Sequence, residues 1–255
     1  MDVKAPRCLT LLGDWSNILA GISLTVSFSI LCAVFTFKVA KMDEGSTHEV
    51  FLYTMTMEGI LWAVGGATLA AVNVIEKNAL LAVIQTIIGF GGCFFAISGL
   101  GDGLPGNIIS ITYVIPISDP ADARIQDALP FWGISCFMFA TTLSLRSVWA
   151  FPKNRIISPF WGIACFFLGA WTIGVFGLWG PCLADGIVGF GDLKDKSLKY
   201  NLPPYSWTWI HVFQVLGALF LTAGAVIFGA LDGIFGGRRG AVQEFSDEES
   251  ISDSD

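Results

Sequence analysis

Phe51 to Ile75 is a stretch of twenty-five residues, FLYTMTMEGILWAVGGATLAAVNVI, whose only charge is Glu58. Wound as a helix at about 1.5 Å per residue it is ~37 Å long, enough to cross a hydrocarbon core of about 30 Å with some tilt. Five more apolar runs come near or exceed the length needed to span: Asn17–Phe37, Asn78–Gly99, Leu129–Ala150, Ile156–Gly180 and Trp207–Phe235. In hydrocarbon every backbone polar group must find its partner inside the chain, so runs of this length predict helices. Composition agrees: 54% of residues are hydrophobic and 14% charged, where soluble domains carry about 25% charged. The expected fold is all-α, a polytopic membrane protein with a six-transmembrane-helix bundle over residues 17–235. Residues 1–16 are expected as a cytoplasmic N-terminal segment, and residues 236–255 as an acidic, disordered cytoplasmic tail.

The positive residues set the orientation, because Lys and Arg accumulate in cytoplasmic loops. With the N-terminus inside, Lys4, Arg7, Lys77, Arg146, Lys153, Arg155, Arg238 and Arg239 lie on the inner side, and Lys38, Lys41, Arg124, Lys194, Lys196 and Lys199 on the outer side. Arg146, Lys153 and Arg155 crowd one short turn, whereas the outer bases are mostly diluted in two long loops that also carry Asp. Both termini are therefore expected in the cytoplasm. Those outer loops are Gly101–Ala128, with the apolar segment NIISITYVIPIS, and Pro181–Ser206, which ends beside Trp207 and Trp209 at the height of an aromatic belt.

Net charge is -7, and the last twelve residues alone hold six acids and no base. The rest is near neutral, so nucleic acid is not an expected partner; membrane lipid is. Ser246, Ser250 and Ser252 each have acids within the next three positions, a context that suits phosphorylation by an acid-directed kinase. The same residues also read as a simple solvated terminus.

A carboxylate within the hydrocarbon costs a few kcal/mol unless paired, protonated or wetted, so Glu58 is expected to face protein or a watery path. The other polar candidates for a transport path inside the runs are Asn17, Ser23, Ser27, Gln85, His211 and Gln214. His211 and Gln214 are three apart and share a helix face. In the chosen topology Glu58 and His211 occupy the same half of the membrane, as does Lys38. A Glu58–His211 or Glu58–Lys38 contact would suit proton transfer. Ser16, Ala20, Ser23 and Ser27 form one small, polar stripe. Arg146 and Asp232 lie near helix ends and read as anchors.

Enzyme motifs are absent: no HExxH, no Gly-x-Ser-x-Gly, no Walker-type loop, and only two histidines. Neither catalysis, metal nor cofactor is expected. The six cysteines have no metal-ligand spacing and read as packing residues. Two segments echo each other, PFWGISCF at Pro130–Phe137 and PFWGIACF at Pro159–Phe166. They lie on helices of opposite direction, which fits either a remnant of an inverted duplication or shared membrane composition.

ALPFWGISCFMFATTLSLRS (Ala128–Ser147) and FWGIACFFLGAWTIGVFG (Phe160–Gly177) resemble the fourth and fifth helices of the acetate/succinate permease family. Glu76 to Asn78 followed by Gly91-Gly92-Cys93-Phe94-Phe95 is similar to its acid-Asn and Gly-Gly-Phe elements. The resemblance is one of pattern and covers about half of the chain; the family's N-terminal Asn-Pro element has only Asn17 and Gly21 as its echo. It implies a path through each protomer closed by aromatic and aliphatic side chains, in a homo-oligomer such as a hexamer.

The expected function is therefore a transporter or channel for a small solute, foremost a monocarboxylate or other small anion, with proton coupling as an option. The alternative is a non-transporting, tetraspan-like scaffold or accessory subunit of a larger membrane complex.

Overall fold

The computed structural model describes residues 4–33, 44–103, 120–147, 159–179 and 207–231. Among the described residues there are helices and no strands. In chain order they are α1 (Arg7–Leu31), α2 (Glu44–Ile75), α3 (Ala79–Gly103), α4 (Pro120–Ser147), α5 (Pro159–Trp171), which continues as a π-helical segment over Thr172–Trp179, and α6 (Trp207–Leu231). Arg7–Leu31, Tyr53–Ile75, Ala79–Gly99, Pro159–Leu178 and His211–Leu231 are long and apolar enough to cross a membrane, the pattern of a multi-pass membrane protein. These five were found over the described residues, which include the side chains of α4 only in part.

Several helices start earlier than their apolar runs. α1 begins at Arg7, well ahead of Asn17, and α4 begins at Pro120, so that Pro120 to Ala128 form helical turns where a loop was expected. Proline suits a first turn because its missing N–H has no helical partner there. The apolar segment before Pro120, the Pro181–Ser206 loop and the acidic tail with Ser246, Ser250 and Ser252 lie outside the described residues.

Each helix packs on its neighbours in sequence, and α1 also packs on α6, so the six helices close into a ring. Successive helices run antiparallel: Gly59 of α2 meets Ala96 of α3 and Gly66 meets Gly89, while Gly162 of α5 meets Phe228 of α6 and Gly169 meets Gly217. The α2–α3 turn shows how. Asn78 N–H donates to Asn73 C=O and Lys77 N–H to Val74 C=O, the paired bonds of a Schellman motif, with Lys77 in the left-handed region at φ 58°.

Lipid tails solvate apolar side chains as well as a neighbouring helix does, so helices in a membrane are held by close packing at small residues. α2 and α3 meet backbone to backbone, Gly66 lying against Gly89 and the Gln85 carbonyl, and Gly92 against Ala63 and the Gly59 carbonyl. α5 and α6 do the same at Gly169 and Gly217. The ring closes where Gly21 of α1 lies against Thr222 of α6, beside a hydroxyl pair, Thr25 Oγ1 to Thr222 Oγ1, at 3.0 Å.

A Cβ on Gly66 would stand 2.5–2.7 Å from Gly89 and Gln85 backbone atoms, whereas one on Gly89 would meet nothing nearer than 3.4 Å. Gly66→Ala should therefore destabilise by roughly 1–3 kcal/mol through overpacking. Gly89→Ala should be neutral or stabilising by up to about 1 kcal/mol, the usual gain in helix propensity. Thermal unfolding in detergent micelles checks the contrast; equal effects would show that the α2–α3 approach is looser than this.

Candidate functional site at the ring axis

One stripe of α2 faces the axis: Met55, Glu58, Trp62, Leu69 and Val72 are all buried. Their three- and four-residue spacing is that of a single helical face. Trp62 is 1% exposed and is among the largest fully buried side chains. Two rings approach it edge-on. Phe137 of α4 lies 5.0 Å away, centroid to centroid, at 78°, and Phe166 of α5 lies 6.1 Å away at 68°. Phe95 continues from Phe137 at 6.0 Å, and Phe228 continues from Phe166 at 5.7 Å. Five rings from five helices thus form one chain with Trp62 at its middle. Aromatic pairs favour such edge-on geometry, each contributing about 0.5–1.5 kcal/mol beyond burial.

Phe137 and Phe166 are the eighth residues of the two echoing segments. The match extends position by position. Trp132 and Trp161, at the third place, are 60% and 59% exposed; Ile134 and Ile163, at the fifth, are 1% and 3% exposed. At the fourth place Gly133 lies under the Phe95 ring and Gly162 under the Phe228 ring. Each copy therefore accepts one phenylalanine at its glycine and sends another to Trp62. The copies share this contact pattern and not a chain order, because Phe95 precedes its copy and Phe228 follows its own.

On the Phe95 side of Trp62 lies an apolar cavity of about 20 Å³, the size of about one water. Every helix contributes to its wall: Leu24 and Phe28 from α1, Trp62 from α2, Phe95 from α3, Ile134 and Phe137 from α4, Ile173 and Leu178 from the end of α5, and Leu221 from α6.

Polar groups flank this girdle. Because α2 and α6 run the same way, Glu58 and His211 lie toward the same end of the ring, together with Gln214. Glu58 is 3% exposed and one turn from Trp62. Its Oε2 has no hydrogen-bond partner, and no ion pair joins Glu58 to another of the described residues. Lys38, the other proposed contact, lies outside them. Gln214 Nε2 donates to the Gly177 carbonyl of the π segment at 3.1 Å, leaving its Oε1 buried without a donor.

Asn17 and Gln85 lie toward the opposite end. Asn17 Oδ1 rests in the space above Gly65, and neither it nor Gln85 Oε1 meets a donor. On the stripe of α1, Ser16, Ala20 and Ser27 are buried and Ser23 is half-buried. The Ser27 hydroxyl donates to the Ser23 carbonyl at 2.8 Å and is thereby occupied within its own helix.

Sequence reasoning passed over Trp62, Phe137 and Phe166, because an aromatic residue within an apolar run carries no mark of which way it faces. It also passed over Thr10 and Asp14, buried on α1 ahead of the apolar run; their spacing with Asn17 was the available signal. Among the described residues no cluster of His, Cys, Asp or Glu could hold a metal ion. No protein-family model, curated protein or solved structure matches the chain.

The Gln214–Gly177 bond is a buried link between α6 and the π segment. Gln214→Leu should cost about 1–3 kcal/mol by leaving that carbonyl without its donor. Gln214→Met, which keeps the length and lacks the donor, should lose as much in thermal unfolding. Full stability in both variants would show the bond to contribute nothing.

Proposed function

We propose that the protein carries a small solute, foremost a monocarboxylate accompanied by a proton, along the axis of its helical ring, with Trp62 as the gate. The observation that carries this reading is the pair of polar regions separated by the aromatic chain. Four buried oxygens lack donors, Glu58 Oε2 and Gln214 Oε1 toward one end, Asn17 Oδ1 and Gln85 Oε1 toward the other. A buried polar atom without a partner is costly, and such atoms mark places that water or a ligand visits. Between them the apolar girdle excludes water, which is how hydrophobic constrictions gate a pore.

In this reading all six helices cross. α4 is packed between α3 and α5, and it turns Trp132 and Phe139 outward, as a lipid-facing helix does. Both termini are cytoplasmic, and Glu58 is the proton carrier, with His211 and Gln214 beside the same entrance. The resemblance to acetate/succinate permeases points to the same solute class and to a homo-oligomer with one path per protomer. A second reading, a non-transporting scaffold or accessory subunit, draws on the wholly apolar wall of the axial cavity.

Solute flux into liposomes containing the purified protein separates the two. Trp62→Ala should raise flux several-fold by removing the gate, and Glu58→Gln should flatten its pH dependence while the protein stays folded. Flux at the level of protein-free vesicles in both wild type and Trp62→Ala would leave the scaffold reading standing. An unchanged pH profile in Glu58→Gln would remove that carboxyl from the mechanism.

A further inference from the structure

We infer that the species passing the Trp62 gate is uncharged and donates hydrogen bonds, so that a carboxylate crosses only as its free acid. This deepens the transport reading above and rests on it. Three observations converge. The first is the sign of the missing partner. Four of the buried atoms without a partner, on Glu58, Gln214, Asn17 and Gln85, are oxygens that accept. Their complement is a donor: the N–H of an amide, the O–H of an alcohol or the O–H of a protonated acid. A carboxylate ion only accepts and satisfies none of them.

The second is the placement of charge. Among the described side chains the bases Lys4, Arg7, Lys77 and Arg146 are all exposed, while Glu58 is buried one turn from the gate. An anion reaching the gate from that end passes a buried carboxyl. His211, at the same end, does not line the cavity.

The third is the wall itself. The cavity is built from mid-helix side chains, where backbone N–H groups are taken up in helical bonds and cannot receive an anion. An ion of either sign would leave its hydration shell there with nothing in exchange, whereas a neutral molecule of a few heavy atoms gives up far less.

Acetate, acetamide and acetamidinium share one skeleton and differ in charge, which makes them the probes. Permeation of each is measured in liposomes holding the full chain and in protein-free vesicles, at about pH 8, where the carboxylic acid is ionised. Acetamide should exceed both ions by about 100-fold in protein-dependent flux, the penalty expected for one charge at the centre of a membrane. Lowering the pH toward the acid's own range should raise acetate flux, with a smaller rise in Glu58→Gln, and leave acetamide unchanged. Acetate crossing at pH 8 as fast as acetamide would overturn the inference while leaving a transport path in place, and equal passage of acetamidinium would do the same. If no probe crosses faster than in protein-free vesicles, in wild type or in Trp62→Ala, the path itself is lost and this inference with it.

Discussion

Bare backbone pressed on bare backbone is the contact that everything else in this molecule rests on. In lipid, no hydrophobic force gathers helices, so attraction must come from surfaces that fit at short range. Gly66 against Gly89, Gly92 against Ala63 and Gly169 against Gly217 supply such surfaces. Where the backbones touch, the larger side chains of the same helices are forced to the flanks, outward to lipid or inward to the axis. The inward set becomes the aromatic chain around Trp62. The close pairs on the perimeter and the crowded axis are thus two results of one arrangement.

That arrangement also explains the pairing of polar and apolar layers. A ring of six helices around a filled centre leaves little volume, and the cavity beside Trp62 is only about 20 Å³. Polar side chains deep in the ring need partners. Ser27 turns back on its own helix and Gln214 reaches across to α5. Glu58, buried within a turn of Trp62, has an oxygen that meets none. A carboxyl retained at such a place contributes little to packing, which is why the proposed mechanism runs through it.

Much of this was legible beforehand, and the remainder failed for physical reasons. Long apolar runs announce helices because hydrocarbon permits little else, and five of the spans follow directly from length and composition. Helix starts were missed because single polar residues are no barrier to helix formation; Thr10 and Asp14 interrupt the apolar pattern yet are buried at helical spacing with Asn17. The echo PFWGISCF and PFWGIACF was visible as text, but not its meaning, since the residue that joins Phe137 to Phe166 lies on a third helix. Glu58 stood out by charge alone. Trp62, the centre of the site, did not, for in a membrane segment an aromatic ring is equally at home facing lipid, headgroup or core.

The π segment at the end of α5 is the last element that the axis requires. Ile173 and Leu178 both line the cavity, yet they are five residues apart. With about 3.6 residues per turn an α-helix would swing them far from one another. Winding with i→i+5 bonds returns residues five apart to nearly the same line, and such segments recur at functional sites. The widened turn leaves room that Gln214 fills: its amide donates to the Gly177 carbonyl, and Gly177 has no side chain to hold that amide away. α5 therefore begins as an ordinary helix where the second echo sets Phe166 against Trp62. It ends in a different winding so that two more apolar side chains reach the axis from the same strand of the ring. The cost of that irregular winding is offset by a hydrogen bond from the helix that carries His211, which ties the shape of the girdle to the polar end beside Glu58.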